Sequence, residues 1–110
     1  YYFLWSVDDT GSPNYHVCYG TSTSPLGEIK IDEQNYRVIE QVPEDQIYGT
    51  AHNSILQIPG KDEWYIVYHR INRNYINHEP GIHRETCIDK MTFDKQDKIV
   101  PVKPSLNFSR

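Results

Sequence analysis

The chain has 110 residues and a formal net charge of −4, and its nine tyrosines, seven prolines and six glycines favour short strands separated by turns. Acidic and basic residues are interspersed, so no basic stripe marks a nucleic-acid-binding surface. No run of about 18 apolar residues is present, which excludes an ordinary transmembrane helix. We therefore expect neither nucleic acid nor a membrane as a partner.

The first part of the chain predicts three strands. Residues 1–7 form an unbroken aromatic and apolar run, which indicates a strand buried on both faces. Turn-forming residues at 8–14 separate it from a second strand at 15–21. A weaker signal predicts a third strand at 36–40. Residues 28–34, between the second and third strands, favour neither helix nor strand.

The second part predicts four consecutive antiparallel strands, at 53–58, 63–71, 83–93 and 99–102. Pro59 and Gly60 reverse the chain between the first two, and the polar segment 72–80 reads as a long exposed loop. Pro101 indicates an edge position for the last strand, because proline cannot donate to a β-ladder. No segment has helical periodicity, and the repeated strand order is typical of an array of four-stranded sheets.

Three side chains with ligating or reactive chemistry stand out. Cys18 and Cys87 lie far apart in strand-like segments without the CxxC spacing of a zinc site. Two buried free thiols are the favoured interpretation, with a disulfide as the alternative. His52 lies among the small residues of segment 49–54, at the start of a strand. Its imidazole could act there as a base or a ligand, or it could be a buried histidine bonded to a backbone carbonyl.

Four segments follow one another along the chain: YYFLWSVDDTGSPNYHVCYGTSTSPLG, GTAHNSILQIPGKDEWYIVYHR, GIHRETCIDKMTFD and KIVPVKPS. Together they resemble the C-terminal part of the catalytic domain of glycoside hydrolase family 43, the five-bladed β-propellers that include arabinanases, β-xylosidases and α-L-arabinofuranosidases. The order and spacing of the segments match the family over nearly the whole chain. The combination is specific, whereas no single segment would be.

The resemblance implies an all-β fold, a partial five-bladed β-propeller with about two four-stranded antiparallel blades. Residues 1–103 would be the C-terminal part of the domain, its last two blades, and the earlier of these would lack its first strand. Residues 104–110 would be a tail or linker. The N-terminal blades of the same domain would then be a partner of this chain.

The activity implied by the resemblance is inverting hydrolysis of O-glycosidic bonds in arabinan- or xylan-type plant polysaccharides. Such chemistry needs an acid and a base carboxyl group about 6.5–9.5 Å apart. In the family these groups and a third carboxylate come from segments upstream of the match, so we expect no catalytic residue here and no activity from the 110 residues alone. Four acidic residues of this chain lie in predicted turns, where acidic residues are ordinary, and are not candidates for these roles: Asp8, Asp9, Glu44 and Glu63. A non-catalytic carbohydrate-binding or interaction module is the alternative function.

The resemblance also implies supporting roles for His52 and Arg84. His52 would face the central channel below the sugar and contact a calcium or sodium ion, directly or through water, although the chemistry requires no cofactor. Arg84 would reach the pocket and pair with sugar hydroxyls or with the acid's carboxylate. Ala51 replaces a glycine that is usual in the family, which is tolerated if its φ is negative. By the same resemblance the protein would be secreted or periplasmic.

Aromatic side chains offer candidate platforms for sugar rings. Tyr75, in the polar loop, is the favoured one because loop residues are free to meet a ligand. Trp5, Trp64 and Tyr68 lie in the middle of predicted strands, where packing between blades is the favoured interpretation. The same reasoning predicts that His69 packs inside a blade.

Overall fold

The computed structural model describes residues 1–106, which form an all-β fold of two three-stranded antiparallel sheets. The strands are β1 (Tyr2–Val7), β2 (His16–Thr21), β3 (Arg37–Ile39), β4 (Ala51–Gln57), β5 (Trp64–Ile71) and β6 (Arg84–Met91). Two short 3-10 turns lie in the predicted loops, at Pro43–Asp45 and Arg73–Tyr75. Within residues 1–106 no helix is long and apolar enough to cross a bilayer.

The first sheet has the order β1-β2-β3, and its central strand β2 is almost entirely buried. The prediction that residues 1–7 are buried on both faces is wrong. Among residues 1–106, strand β1 pairs only with β2 and lies at the edge of the sheet, so Tyr2 remains 40% exposed. An aromatic run thus forms a half-buried edge strand here, because burial depends on neighbours that composition does not specify.

The second sheet has the order β4-β5-β6, and its first hairpin turns where the sequence predicts. The Ile58 N–H donates to the Glu63 carbonyl at 2.9 Å, and Gly60 adopts a φ of 77° that suits glycine. Strands β5 and β6 pair over their whole length, which sets Ile71 opposite Arg84. The hairpin therefore brings the start of β4, the end of β5 and the start of β6 to the same end of the sheet.

The segment predicted as a fourth strand of the second sheet connects the two sheets instead. Ile99 forms an isolated antiparallel bridge with Phe93, just after β6. Beyond Pro101 the chain reaches the first sheet, where the Val102 N–H donates to the Val38 carbonyl at 2.7 Å. Each sheet thus has three strands among the described residues. Proline lacks the N–H that a continued ladder would need, which explains why pairing changes partner at Pro101.

The two sheets share one hydrophobic core, and β4 is the strand through which the second sheet contacts β1 and β2. Both cysteines are buried and free, as predicted. Burial raises the pKa of the Cys87 thiol to about 11, so Cys87 stays protonated and packs as a small apolar group. The core residues are Tyr15, Val17, Tyr19, Val38, Ile39, Ala51, Ile66, Tyr68, Cys87, Met91 and Ile99.

A carboxylate in β6 anchors the chain that follows the last bridge. Asp89 accepts hydrogen bonds from the Tyr68 hydroxyl at 2.6 Å and from the Ser105 hydroxyl at 2.8 Å and N–H at 3.2 Å. Burial and the Asp89 charge raise the pKa of Tyr68, so its hydroxyl remains a donor. Pro104 is buried beside this anchor. Residues 107–110 of the predicted tail lie outside the described residues.

Removing the Tyr68 hydroxyl tests the anchor. Tyr68→Phe leaves the half-buried Asp89 carboxylate without one donor, and hydrogen bonds to charged groups contribute about 1.5–3 kcal/mol. We expect urea denaturation to show a loss of about 2 kcal/mol with an unchanged m-value. Tyr65→Phe is the matched control, because the Tyr65 hydroxyl, in the same strand as Tyr68, donates to the carboxylate of Glu63, which lies only two residues away in the sequence. Its expected effect is within about 0.5 kcal/mol, and equal losses in the two variants would contradict the anchor.

Candidate functional site

His52 lies at a β-bulge at the start of β4. Ala51 pairs with His69 and Ser54 with Val67, so β4 has one more residue than β5 over this stretch. A bulge bends its strand and changes the direction of a side chain. His52 takes a φ of 58°, in the left-handed region that residues with a Cβ seldom adopt. Ala51 is outside that region, so the alanine is accommodated and the unusual backbone falls on the histidine.

The His52 side chain is exposed, and its backbone is tied to the first sheet. Its N–H donates to the Ser6 hydroxyl oxygen at 3.0 Å, which joins β4 to β1. Its ring stacks on the ring of His69, with 4.9 Å between centroids and 28° between planes. No residue from 1 to 106 forms a hydrogen bond with the ring nitrogens of His52. The site therefore presents an exposed imidazole that stacks on His69 and whose nitrogens form no hydrogen bond within this range.

Arg84, at the start of β6, binds three segments of the chain. Its Nε donates to His69 Nδ1 at 2.7 Å, its Nη1 to the Thr10 carbonyl at 2.8 Å, and its Nη2 to the carbonyls of His69, at 3.1 Å, and of Gly49. Its Cζ lies 5.4 Å from the centroid of the Tyr15 ring, a cation–π contact. A guanidinium has five N–H groups. Four are bound here, so Arg84 chiefly holds loops together, and its contact with a sugar stays a prediction.

His69 lies between Arg84 and His52 and is half-buried. Because the Arg84 Nε–H donates to Nδ1, that nitrogen carries a lone pair, and the neutral ring has its proton on Nε2. Burial, the positive charge of Arg84 and the neighbouring His52 lower the pKa of His69 to about 4. His69 is therefore neutral at physiological pH.

Gly49 makes room for the guanidinium. Its φ is 65°, and its carbonyl accepts from Arg84 Nη2. A Cβ at this position would lie 2.8 Å from Arg84 Nη1 and 3.1 Å from the Ile71 side chain. Both the backbone conformation and the close approach therefore require glycine before the histidine turn.

Tyr75 lies in the loop between β5 and β6, at the end of the second sheet where Arg84 begins β6. Its ring stacks on His83, with centroids 3.7 Å apart, and a wider stack with His78 has centroids 6.3 Å apart. The loop closes where the Asn72 N–H donates to the His83 carbonyl at 2.8 Å. Because His83 precedes Arg84, this stack stands beside the arginine in the chain. His83 covers one face of the Tyr75 ring, so only the other face could serve as the predicted sugar platform.

The acidic residues of the β1–β2 loop have structural partners. Asp8 accepts from the Asp9 N–H at 2.8 Å, and Asp9 accepts from the Gly11 N–H at 2.8 Å. These bonds close the turn locally, as carboxylates commonly do in loops. Both carboxylates therefore act as acceptors that stabilise the loop, and the absence of a catalytic role for them stays a prediction.

Metal binding is limited by the donor set. Within the described range, 1–106, no group of three or more His, Cys, Asp or Glu side chains is arranged to hold a metal ion. A neutral His52 ring offers one nitrogen lone pair to a cation, whereas calcium prefers six to eight oxygen ligands. The residues present therefore do not by themselves fit a calcium site.

Sequence reasoning missed the position of His69. The signal was present in the hairpin, because continuing the register from Gln57 opposite Trp64 sets His52 directly across from His69. The bulge then shifts the pairing by one residue and leaves the two rings stacked. The bond from Arg84 to His69 needed knowledge of the third strand's register as well.

Comparison with known proteins agrees with this architecture. The model of the family Glycosyl hydrolases family 43 matches residues 1–99. Among curated proteins, the chain is 38% identical over 106 residues to the β-D-galactofuranosidase xynD of Aspergillus niger, a match that covers 96% of this chain and 29% of that protein. The chain thus spans less than a third of the length of this relative.

Two solved structures are similar over nearly the whole chain. A thermostable family-43 glycoside hydrolase has a TM-score of 0.77 at 26% identity, covering 97% of this chain and 33% of its own. The second is a GH43 β-xylosidase/α-arabinofuranosidase from a compost microbial metagenome, solved in complex with xylotriose in a calcium-free form. Its TM-score is 0.63 at 19% identity, and the match covers 96% of this chain and 28% of that protein. At 19% identity, the second comparison supports a similarity of fold and nothing more.

Two glycines provide a test of how Arg84 docks. Gly49 and Gly60 both have a positive φ, so alanine at either position has a similar backbone cost, on the order of 1–2 kcal/mol. Only at Gly49 does the added Cβ also collide with Arg84 and Ile71, since nothing lies within 4 Å of a Cβ at Gly60. We expect Gly49→Ala to destabilise the protein by about 1–3 kcal/mol more than Gly60→Ala in urea denaturation. Equal losses would show that the guanidinium does not dock against Gly49.

Proposed function

The chain belongs to glycosyl hydrolase family 43, and we propose that it forms one wall of the sugar pocket in an inverting glycosidase domain. The observation that carries this proposal is the cluster of His52, His69 and Arg84 at one end of the sheets, inside the part of the chain that matches the family. An exposed imidazole held in a fixed plane suits the recognition of sugar hydroxyls, because each ring nitrogen can donate or accept.

We propose that the two sheets are two of the five blades of a β-propeller. The sheets have the same antiparallel order, and the solved family-43 structures resemble the chain over nearly its full length. Other segments of the domain would supply the remaining blades. In a propeller the strand ends of all blades surround one channel, which would bring His52 and Arg84 near groups from those segments.

In this proposal the chain binds and orients the sugar while other segments supply the reacting carboxylates. Inversion needs an acid on the leaving oxygen and a base on a water across the ring, about 6.5–9.5 Å apart. His52 would bond hydroxyls of the sugar, and Arg84 would keep the loops at Thr10 and Gly49 in position and stabilise a nearby carboxylate in its charged form. Correct positioning of this kind lowers the barrier without a reacting group in the chain.

The substrates we propose are pentosides and furanosides of plant cell walls, of the arabinan and xylan type. The curated relative is named as a β-D-galactofuranosidase, and one solved relative as a β-xylosidase/α-arabinofuranosidase. An α-L-arabinofuranosyl and a β-D-galactofuranosyl group share their ring configuration and differ by one exocyclic hydroxymethyl group. One pocket wall can therefore serve either sugar, and such polysaccharide substrates agree with a secreted or periplasmic protein.

A calcium or sodium ion in the channel of the complete domain remains part of the proposal. His52 would contribute at most one contact to it, through water, because oxygen ligands would have to come from other segments. The proposed role of this chain in binding the sugar does not depend on that ion.

The proposal can be tested by incubating the natural full-length protein with three 4-nitrophenyl glycosides and measuring their hydrolysis. The glycosides are the α-L-arabinofuranoside, the β-D-xyloside and the β-D-galactofuranoside. We expect cleavage of at least one, with inversion seen in the NMR spectrum of the first product. His52→Ala should lower kcat/KM about tenfold or more, since it removes contacts to the sugar. Lys61→Ala, in the exposed β4–β5 turn, is the control and should leave kcat/KM unchanged.

Other outcomes would reject parts of the proposal. Retention at the anomeric carbon would contradict the inverting mechanism, and an unchanged kcat/KM in His52→Ala would remove this histidine from the pocket. Oligosaccharide binding without any hydrolysis would favour the alternative of a non-catalytic carbohydrate-binding module. The 110 residues alone should hydrolyse none of the three glycosides, and turnover by them would show that they hold reacting carboxylates.

A further inference from the structure

We propose that His69 is a positioning residue of the sugar pocket, which fixes the plane of the His52 ring by stacking while Arg84 fixes His69. This inference deepens the proposed function, because it rests on His52 as the group that meets the sugar. His69 itself is half-buried, and in this proposal it acts on the sugar through His52.

Two contacts on different parts of the His69 ring carry the proposal. On its edge, Nδ1 accepts the Arg84 Nε–H at 2.7 Å. On its face, it stacks on His52 with 4.9 Å between centroids and 28° between planes. The carbonyl of His69 also accepts from Arg84 Nη2 at 3.1 Å, so backbone and ring are held by the same guanidinium. Arg84 is fixed in turn by Thr10 and Gly49.

Within residues 1–106 the contact that orients the His52 ring is the stack on His69. The His52 side chain is exposed, and among the described residues the ring has no hydrogen bond. The bulge sets the direction of the Cα–Cβ bond, but rotation about the side-chain torsions remains open. A flat partner at stacking distance restricts this rotation, and a ligand group that is already ordered loses less entropy on binding.

The two contacts place opposite demands on a replacement for His69. Asparagine can put its side-chain oxygen near the position of Nδ1 and accept from Arg84, but it has no ring for His52. Phenylalanine supplies a flat ring for His52 but leaves the Arg84 Nε–H without its acceptor. Histidine meets both demands, so the two variants separate the ring contact from the hydrogen bond.

The proposal predicts opposite effects on kinetics and stability in the natural full-length protein. His69→Asn should keep the thermal midpoint within about 2 °C and lower kcat/KM about tenfold, mostly through KM, on a 4-nitrophenyl glycoside that the protein cleaves. His69→Phe should lower the midpoint by several degrees, since the half-buried Arg84 Nε–H loses its acceptor, and should lower kcat/KM less than His69→Asn does, because the ring that stacks on His52 is retained. Kinetics and stability that fall together in both variants would indicate a merely structural role and overturn the proposal.

A double-mutant cycle with His52 tests whether His69 acts through that residue. In a His52→Ala background, His69→Asn should change kcat/KM by less than twofold, because the ring to be positioned is gone. A tenfold loss in both backgrounds would mean that His69 acts on its own, against the proposal.

A readout without activity separates this inference from the proposed function. In long-range 1H–15N spectra, the His52 ring resonances should be nearly unchanged in His69→Phe and should shift towards those of a freely rotating imidazole in His69→Asn. If the protein cleaved no glycoside but showed this pattern, the proposed function would fail and the positioning of His52 would stand. Identical His52 spectra in both variants and the wild type would overturn the positioning.

Discussion

The docking of one guanidinium holds the candidate site together. Arg84 starts the last strand of the second sheet, yet it donates to the loop after β1, to the segment before β4 and to the end of β5. These segments are remote in the chain and belong to both sheets, so without the arginine their carbonyls would need other donors. Burial lowers the pKa of Arg84, but its guanidinium stays charged at neutral pH, and charge-assisted bonds to carbonyls are among the stronger hydrogen bonds.

Two left-handed backbone positions, Gly49 and His52, lie in the segment that docks on this arginine. Gly49 has a φ of 65° and His52 a φ of 58°, with two ordinary residues between them. Glycine tolerates such a conformation, whereas a residue with a Cβ incurs a cost of about 1–2 kcal/mol. At His52 this conformation is adopted by a residue with an exposed ring, which points to a function. A strained backbone persists only where the surrounding structure holds it in place, and such positions are common at functional sites. The bond from the His52 N–H to Ser6 is part of that surrounding structure.

The sequence predicted most of the strands and the site residues' place in them. The hairpin at Pro59 and Gly60 follows from turn chemistry, and the aromatic and β-branched runs became strands because little else could bury them. The exposure of β1 was not predictable, since an edge position depends on which strands lie beside it. The crossing of the chain to the first sheet after Pro101 was missed for a similar reason. Proline signals a break in a ladder but does not identify the next partner.

In the candidate site, too, the local sequence predicted some features, and the pairing of strands determined the others. His52 stood out in the sequence because it was the one titratable residue in a small-residue turn. His69 did not stand out, because its role depends on three strands in register and on a bulge of one residue. Tyr75 was singled out as a free loop aromatic, yet its ring is partly covered by His83, which only tertiary structure brings against it. Local pattern thus identified residue types, and non-local pairing determined their contacts.

The pKa of His69 tests the proposed cluster most directly. It can be measured in the natural protein by recording the 15N and 1H resonances of the His69 ring as the pH is lowered. Because burial and the Arg84 charge disfavour the imidazolium, the account predicts a neutral ring, protonated on Nε2, that titrates only near pH 4. A ring that titrates near its ordinary pKa of about 6.5, or one that carries its proton on Nδ1, would contradict it. Either result would mean that Arg84 does not dock on His69 and that the cluster around His52 is not held as described.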